Sequence, residues 1–128
     1  MSESYILDAS ALLCLLQEEK GAERVARALP AAKIGAVNYS EVVGKLVEAG
    51  VDEAKIDRLV DALHLTVVPF DRTQARLTGL LRAATRRLGL SLGDRACLAL
   101  AEREGVPAMT GDSSWVDAIS SVQIRLIR

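Results

Sequence analysis

The chain has 128 residues, enough for one domain with a substantial core. Apolar residues make up 50% of it and aromatic residues only 3%, so the core must be aliphatic. A formal net charge of −1 excludes a protein that coats nucleic acid by bulk positive charge. The polar start is unlike a secretory signal, and the apolar run 11–16 is too short to span a membrane, so no membrane association is expected.

Predicted strands alternate with predicted helices along the chain. Strands are expected at 5–7, 33–37, 65–69, 107–110 and 122–127 from their β-branched and apolar runs. Helices are expected at 9–19, 23–29, 38–49, 52–63, 71–88 and 92–104 from apolar spacing and from breaks at glycine and proline. This alternation predicts a three-layer α/β/α fold around a mainly parallel sheet of four to five strands. With no repeat or linker in view, residues 1–128 are expected to form a single domain.

The cysteines and the histidine offer no soft-metal site. Cys14 and Cys97 lie in apolar helical stretches and are expected to be buried as small hydrophobic residues. His64, the one histidine, is expected at the surface or at a helix end. Without suitable cysteine and histidine spacing zinc is disfavoured, and a reducing cytoplasm is the expected location.

Four acidic residues are expected to meet at one edge of the sheet. Asp8 and Asp112 follow predicted strands, whereas Glu41 and Asp94 lie in the first turns of predicted helices. Ligand sites in open α/β sheets lie beyond the carboxyl ends of the strands, the edge at which all four positions fall.

The chemistry of such a cluster favours a hard divalent cation. Carboxylates within a few ångströms of one another repel, and a cation removes that conflict. An all-oxygen ligand set suits Mg²⁺ or Mn²⁺ rather than zinc or copper. A site of this kind is suited to phosphoryl transfer.

A purely structural interpretation of the same acids stays open at this point. Asn38 and Glu41 have the spacing of a helix capping box, and so do Ser91 and Asp94. Aspartates after strands are also common in turns. Each acid alone is more simply a cap or turn residue, and only their shared edge favours a site.

The order of four motifs resembles the PIN domain family, in particular its small stand-alone members found as VapC toxins. The matching stretches are YILDAS at 5–10, NYSEV at 38–42, LGDRACLALA at 92–101 and TGDSSW at 110–115. They span nearly the whole chain, and Gly111 is a small departure that removes no acid. The resemblance implies a PIN-like fold and Mg²⁺- or Mn²⁺-dependent cleavage of RNA.

The resemblance also implies residue roles. Asp8, Glu41 and Asp94 would hold the main metal, and Asp112 would complete the site directly, through water or with a second metal. The products would carry a 5′-phosphate and a 3′-hydroxyl. Two hydroxyls, those of Ser10 and Thr110, are candidates to orient a carboxylate, although they can equally be ordinary helix and strand residues. Trp115 is expected to pack beneath the Asp112 loop rather than to stack on a base.

A basic stripe is the candidate RNA-binding surface. On one helix over 71–88, the apolar arc would hold residues 77, 80, 81, 84 and 88, and the opposite arc would hold Arg72, Arg76, Arg82, Arg86 and Arg87. No acidic residue lies between Arg72 and Gly93. The alternatives are a solvated face, a face paired with acids from elsewhere in the fold, or a surface that receives an acidic antitoxin segment.

Partners and competing functions complete the expectations. The resemblance implies a VapB-like antitoxin, and the apolar helix segments 42–47 and 56–63 are either a homodimer face or ordinary core. A housekeeping PIN-type RNA-processing nuclease is the main alternative. A metal-dependent phosphatase or phosphoacceptor is disfavoured because Ala9, not a second acid, follows Asp8. An inactive binding module is disfavoured because all four acids are present.

Overall fold

Five short strands form one parallel sheet in a computed structural model that describes residues 3–128. The strands are β1 (Tyr5–Leu7), β2 (Ala32–Gly35), β3 (Thr66–Val68), β4 (Ala108–Thr110) and β5 (Ile124–Leu126). Their order is β3-β2-β1-β4-β5, and each neighbouring pair is parallel. The central strand β1 places Leu7 opposite Ile34 on one side and Met109 on the other. The expected parallel sheet is confirmed.

Helices cover both faces of this sheet. They are α1 (Ala9–Leu16), α2 (Ala22–Ala28), α3 (Ala36–Glu48), α4 (Glu53–Asp61), α5 (Arg72–Leu80), α6 (Arg82–Thr85) and α7 (Leu92–Glu104). Successive residues of β1 point to opposite faces. Ile6 therefore packs with Leu98 of α7, whereas Leu7 packs with Ala11 of α1 and Val25 of α2. Within the described range no helix is long and apolar enough to cross a membrane.

The second strand is shorter than its sequence predicts. β2 ends at Gly35, whose extended backbone precedes the first turn of α3, so residues 36 and 37 are helical. Asn38 consequently lies inside the helix with its side chain buried, and the expected Asn38 cap is wrong. The Asn38 amide donates to the carbonyl of Gly93 at 3.0 Å, a contact between distant parts of the chain that the local sequence does not indicate.

The single helix expected over 71–88 is also wrong. α5 ends at Leu80, and the short α6 leads into a 3₁₀ turn at Arg86–Leu88. Thr85 donates its hydroxyl to the carbonyl of Leu81, a contact that commonly bends helices. Leu80 is 59% exposed, and Gln74 and Thr78 are buried in place of the expected leucine arc. Leu81 and Leu88 still pack against the core.

Three smaller expectations have clear outcomes. Cys14 and Cys97 are free and buried, as expected, and His64 is exposed at a left-handed turn after α4. Val42 and Ile56 are buried in the core, so the core interpretation holds for these two residues. Met1 and Ser2, which belong to the polar start used against a signal sequence, lie outside the described residues.

Candidate active site

Asp8 is the most firmly held of the four acids. It directly follows β1 and caps α1, accepting the backbone N–H of Ala11 at 2.9 Å. The hydroxyl of Ser10 donates to Oδ1 at 2.7 Å, and that of Thr110 donates to Oδ2 at 2.6 Å. The residue is only 5% exposed, and hydrogen bonds to both of its oxygens hold the carboxylate in place.

The two hydroxyls also join neighbouring strand ends. Ser10 Oγ accepts the N–H of Gly111 at 2.9 Å, and Thr110 Oγ1 accepts the N–H of Asp112 at 3.0 Å. The loop that carries Asp112 is thereby tied to the end of β1. The contact of both hydroxyls with a carboxylate agrees with the sequence hypothesis, and their effect on a reaction stays a prediction.

Glu41 does not cap its helix. It lies in the second turn of α3, where its Oε1 accepts the amide of Asn38 at 3.1 Å. The same amide nitrogen donates to the Gly93 carbonyl at the start of α7. The side chain of Glu41 therefore contacts Asn38 of its own helix and also lies against Gly93 of α7.

Asp94 and Asp112 combine capping with a place in the site. Asp94 forms the expected capping box with Ser91, accepting its N–H at 2.9 Å while its own N–H bonds the Ser91 hydroxyl. Asp112 Oδ1 accepts the N–H of Ser114 at 2.9 Å. A carboxylate has two oxygens, and in both residues these caps occupy only one, so capping and ligand binding are compatible.

All four acids line one cavity of about 230 Å³ beyond the carboxyl ends of β1 and β4. The other lining residues are Ala9, Ser10, Leu13, Asn38 and Lys45. A larger cavity of about 580 Å³ lies elsewhere, between Arg24, Arg27 and Arg125, and contains none of these acids. The candidate site is therefore identified by the four acidic side chains that meet there, and not by the volume of the cavity.

Burial, and less strongly the neighbouring carboxylates, disfavours the ionised forms of Asp8 and Glu41 and so raises the pKa of each. Burial raises the pKa of Asp8, and the Thr110, Ser10 and Ala11 hydrogen bonds partly offset that rise. Burial and then the nearby Asp94 carboxylate raise the pKa of Glu41, while the Asn38 hydrogen bond lowers it. Positive charge in the cavity would relieve this strain, since it favours the ionised carboxylates.

The donor set fits a hard divalent cation, although it is not a closed cage. Within residues 3–128, no three acidic, histidine or cysteine side chains stand close enough to hold one ion together. Mg²⁺ characteristically keeps several waters and binds proteins through one or two carboxylates. Four oxygen donors around a small polar cavity satisfy that requirement without a tight cluster.

Trp115 supports the site from below. It is fully buried and packs with Ile6 and Leu98 in the core, directly after the Asp112 turn. The expected packing role is confirmed, and its burial prevents stacking on a base.

The five arginines of the predicted stripe are all exposed. Among the described residues none of them pairs with an acidic side chain, so the acid-paired alternative is wrong. α5 runs antiparallel to α7, because Asp71 contacts Arg103 at 3.7 Å while the carbonyl of Thr78 accepts from Arg95. This arrangement separates the stripe. Arg82, Arg86 and Arg87 lie at the end of α7 that carries Asp94, and Arg72 lies at the other end.

Sequence reasoning missed three residues of the site. Lys45 lines the cavity one helical turn after Glu41, and its i+4 spacing was a usable signal. Asn38 was noticed only as a cap. Gly93 contacts Glu41 through its α-carbon, and nothing in its sequence position indicates that contact.

Fold and site together define an α/β protein with an acidic cavity at the carboxyl edge of a parallel sheet. Residues 5–119 match the PIN domain family model. The chain therefore belongs to the PIN domain family, whose members are nucleases and generally use divalent metal ions. The sequence matches none of the curated proteins with which it was compared.

Solved structures share the fold at low sequence identity. A toxin–antitoxin complex from Klebsiella pneumoniae matches with a TM-score of 0.77 and 19% identity, covering 98% of each chain. A DNA-bound VapBC from Salmonella typhimurium has a TM-score of 0.78 and 17% identity, covering 99% of this chain and 100% of that one. VapBC-5 from Mycobacterium tuberculosis has a TM-score of 0.66 and 19% identity, covering 99% of both.

Proposed function

We propose that this protein is a Mg²⁺- or Mn²⁺-dependent endoribonuclease and the toxin of a VapBC-type pair. The observation that carries the proposal is the convergence of Asp8, Glu41, Asp94 and Asp112 on one small cavity in a PIN domain. Burial and the neighbouring carboxylates both disfavour ionisation of Asp8 and Glu41, so the cavity favours a cation over an anion.

Asp8, Glu41 and Asp94 would hold the main metal partly through its bound waters, because within residues 3–128 no three such side chains stand close enough to hold one ion together. Asp112 would complete its surroundings. When bound, the metal would activate a water and neutralise charge at the scissile phosphate. The chain itself supplies orientation. Ser10 and Thr110 fix the Asp8 carboxylate, so a ligand placed there has a defined position relative to the strand ends.

Positive side chains near the cavity suit an RNA substrate. Among the described residues that line the cavity, Lys45 is the one with a basic side chain, and it can contact a backbone phosphate. Arg82, Arg86 and Arg87 extend basic character along the same end of α7. Since the net charge is only −1, local patches such as these would have to supply RNA affinity.

The proposed partners are a VapB-like antitoxin and a second copy of the chain. The structures that share this fold include VapBC assemblies, which supports the antitoxin. Val47 of α3 is 60% exposed and is the apolar residue of the 42–47 segment available for a dimer contact. Two free, buried cysteines suit a reducing cytoplasm.

A cleavage assay tests the enzymatic part directly. Purified protein is incubated with end-labelled RNA or with a phosphomonoester, each with Mg²⁺ and with EDTA. We expect Mg²⁺-dependent internal cleavage of RNA and no phosphate release. Phosphate release would favour a phosphatase, and metal-independent RNA binding without cleavage would favour an inactive binding module.

Metal binding is measured separately by unfolding. At about ten times its dissociation constant, a ligand of the native state adds about 1.4 kcal/mol to the free energy of unfolding. We expect this gain with Mg²⁺ or Mn²⁺ in the wild type and its loss in Asp94→Asn. No divalent binding at millimolar metal, with or without RNA, would contradict the proposed function.

The toxin assignment needs a cellular test. Expression of the wild type should slow growth, and Asp8→Asn should relieve that effect. Co-expression with the adjacent gene should yield a complex that co-purifies. Growth unaffected by abundant, folded wild type would point to a housekeeping RNA-processing nuclease.

A further inference from the structure

Glu41 lies between Asn38 and Gly93, and neither of these two residues has a role in the proposed reaction so far. On one side lies Asn38, only 2% exposed, whose amide nitrogen is 3.1 Å from Glu41 Oε1 and 3.0 Å from the Gly93 carbonyl oxygen. On the other side lies the α-carbon of Gly93 itself. The carboxylate therefore has a neighbour on α3 and another on α7.

Gly93 leaves space that Glu41 fills. A β-carbon at position 93 would overlap Glu41 Oε1 and would lie 2.7 Å from its Cδ. Gly93 is helical, in the first turn of α7 beside Asp94. Glycine is needed here because the Glu41 carboxylate approaches the backbone of residue 93 closely. It is not needed for its conformational freedom, because any residue can adopt this helical backbone conformation.

Asn38 is retained in a buried position at a cost. Within residues 3–128 its Oδ1 accepts no hydrogen bond, and an unpaired buried acceptor is unfavourable. Both bonds that Asn38 makes through its side chain are donated by one nitrogen, to Glu41 and to Gly93. The Asn38 amide therefore bonds the Glu41 carboxylate and the first turn of α7 at the same time.

We propose that Asn38 and Gly93 are positioning residues that form a seat for the Glu41 carboxylate. The seat connects α3 to the N-terminus of α7 and sets the distance between Glu41 and Asp94. The inference rests on the proposed function, because it assigns the seat to metal binding and RNA cleavage at that site. Neither residue is expected to contact the metal or the substrate.

Two variants disturb the seat from opposite sides. Asn38→Ala removes the donor, and Gly93→Ala inserts a methyl group where Glu41 lies. The atoms displaced by Gly93→Ala are the far end of a flexible side chain, so this variant should fold.

Each variant has a matched control that spares the acids. Gln74→Ala removes another buried amide, which donates to the Ala96 carbonyl of α7 at 3.2 Å and also has an unpaired oxygen. Gly44→Ala adds a methyl group to a helical glycine that has nothing within 4 Å. If the role of Asn38 were only to hold the fold together, Gln74→Ala would mimic its loss.

The experiment measures Mg²⁺ affinity by calorimetry and cleavage of labelled RNA across a Mg²⁺ titration, at a temperature where every variant is folded. Loss of an outer partner of a metal site typically costs about 10- to 100-fold in metal affinity or activity. We expect losses of that size in Asn38→Ala and Gly93→Ala, with the cleavage deficit partly recovered at high Mg²⁺. The two controls should match the wild type.

The outcomes separate this inference from the proposed function. Asn38→Ala and Gly93→Ala that bind Mg²⁺ and cleave like their controls, while Asp94→Asn is inactive, overturn the seat alone. A wild type that neither binds Mg²⁺ nor cleaves RNA overturns both. Should Asn38→Ala fail to fold, Gly93→Ala decides the question, because its effect on Glu41 does not depend on the buried amide.

Discussion

The acid cavity and the arginine-bearing segment 72–87 are built in opposite ways. In the cavity, side chains from four separate segments converge, and hydrogen bonds from other side chains hold Asp8 and Glu41 in place. In the arginine segment the charges follow one another along the chain, point to solvent and have no acidic partners among the described residues. One region is organised by tertiary contacts and the other by sequence.

This difference corresponds to two kinds of task. A metal and a scissile phosphate need ligands at fixed positions, and fixed positions need locked side chains. Contacts to an RNA backbone need positive charge at the right end of the molecule and tolerate mobile side chains. Substitutions in the cavity should therefore act strongly and specifically, and those in the arginine segment weakly and without sequence preference.

The largest effect should come from neutralising the acids. We expect Asp8→Asn, Glu41→Gln and Asp94→Asn each to reduce RNA cleavage by more than about 100-fold. Substituting even a residue that only supports a metal ligand typically lowers metal affinity or activity about 10- to 100-fold. Asp112→Asn should be severely impaired. Each protein should remain folded by circular dichroism, since removing charge relieves repulsion.

Glu53→Gln is the matched control for these variants. Glu53 is an exposed glutamate of α4 that forms no salt bridge among the described residues, and its substitution should leave cleavage unchanged. Full activity of Asp94→Asn would end the assignment of the cavity, and unfolding of all four acid variants would mean that the acids serve only as caps.

An intermediate effect is expected from the hydroxyl that holds Asp8. Thr110→Val keeps the shape of a fully buried side chain and removes the donor to Asp8 Oδ2. We expect a loss of about 10- to 100-fold in activity or metal affinity, measured under single-turnover conditions. Thr85→Val is the control, because that buried hydroxyl only bonds a helix carbonyl. Equal behaviour of the two variants would argue that Thr110 has no influence on the site.

A smaller effect is expected in the arginine segment. Arg82→Ala combined with Arg86→Ala should weaken binding of many RNA sequences alike and reduce the log–log salt slope by about 0.7 per lost single-strand contact. Mg²⁺ affinity should not change. Arg72→Ala, at the opposite end of α7 from Asp94, should have a weaker effect on binding by fluorescence anisotropy. Wild-type affinity and slope in the double variant would assign the arginines to solvent or to the antitoxin.

The smallest effect concerns pH and the metal-free fold. Because the pKa of Glu41 is raised in the folded state, the folded protein binds more protons than the unfolded chain above about pH 4.3. Its contribution to the free energy of unfolding therefore falls as pH rises from there through the raised pKa. Denaturant unfolding in EDTA should show a flatter pH dependence for Glu41→Gln than for the wild type. Glu53→Gln should follow the wild type, and an unchanged slope in Glu41→Gln would contradict the raised pKa of Glu41.

Much of the fold was predictable because it depends on local patterns. Short apolar runs that alternate with helical spacing indicated the parallel sheet, and all five strands were placed to within a few residues. The four acids were identifiable because their edge of the sheet follows from connectivity alone. The prediction of helix boundaries was less accurate where a boundary depended on distant residues, as at Asn38, which bonds Gly93.

The sequence by itself determined the fold class, the PIN domain motifs and the set of acids, since each of these is written in periodicity or in short motifs. Only the tertiary structure decided how those acids are held. It placed the Thr110 hydroxyl on Asp8 across 102 positions of the chain and seated Glu41 against Gly93. It also broke the 71–88 helix, so that the later arginines lie in the segment that connects the Thr78 end of α5 to the start of α7. Contacts of this kind depend on how helices pack, and packing joins residues whose separation in sequence carries no signal of their proximity.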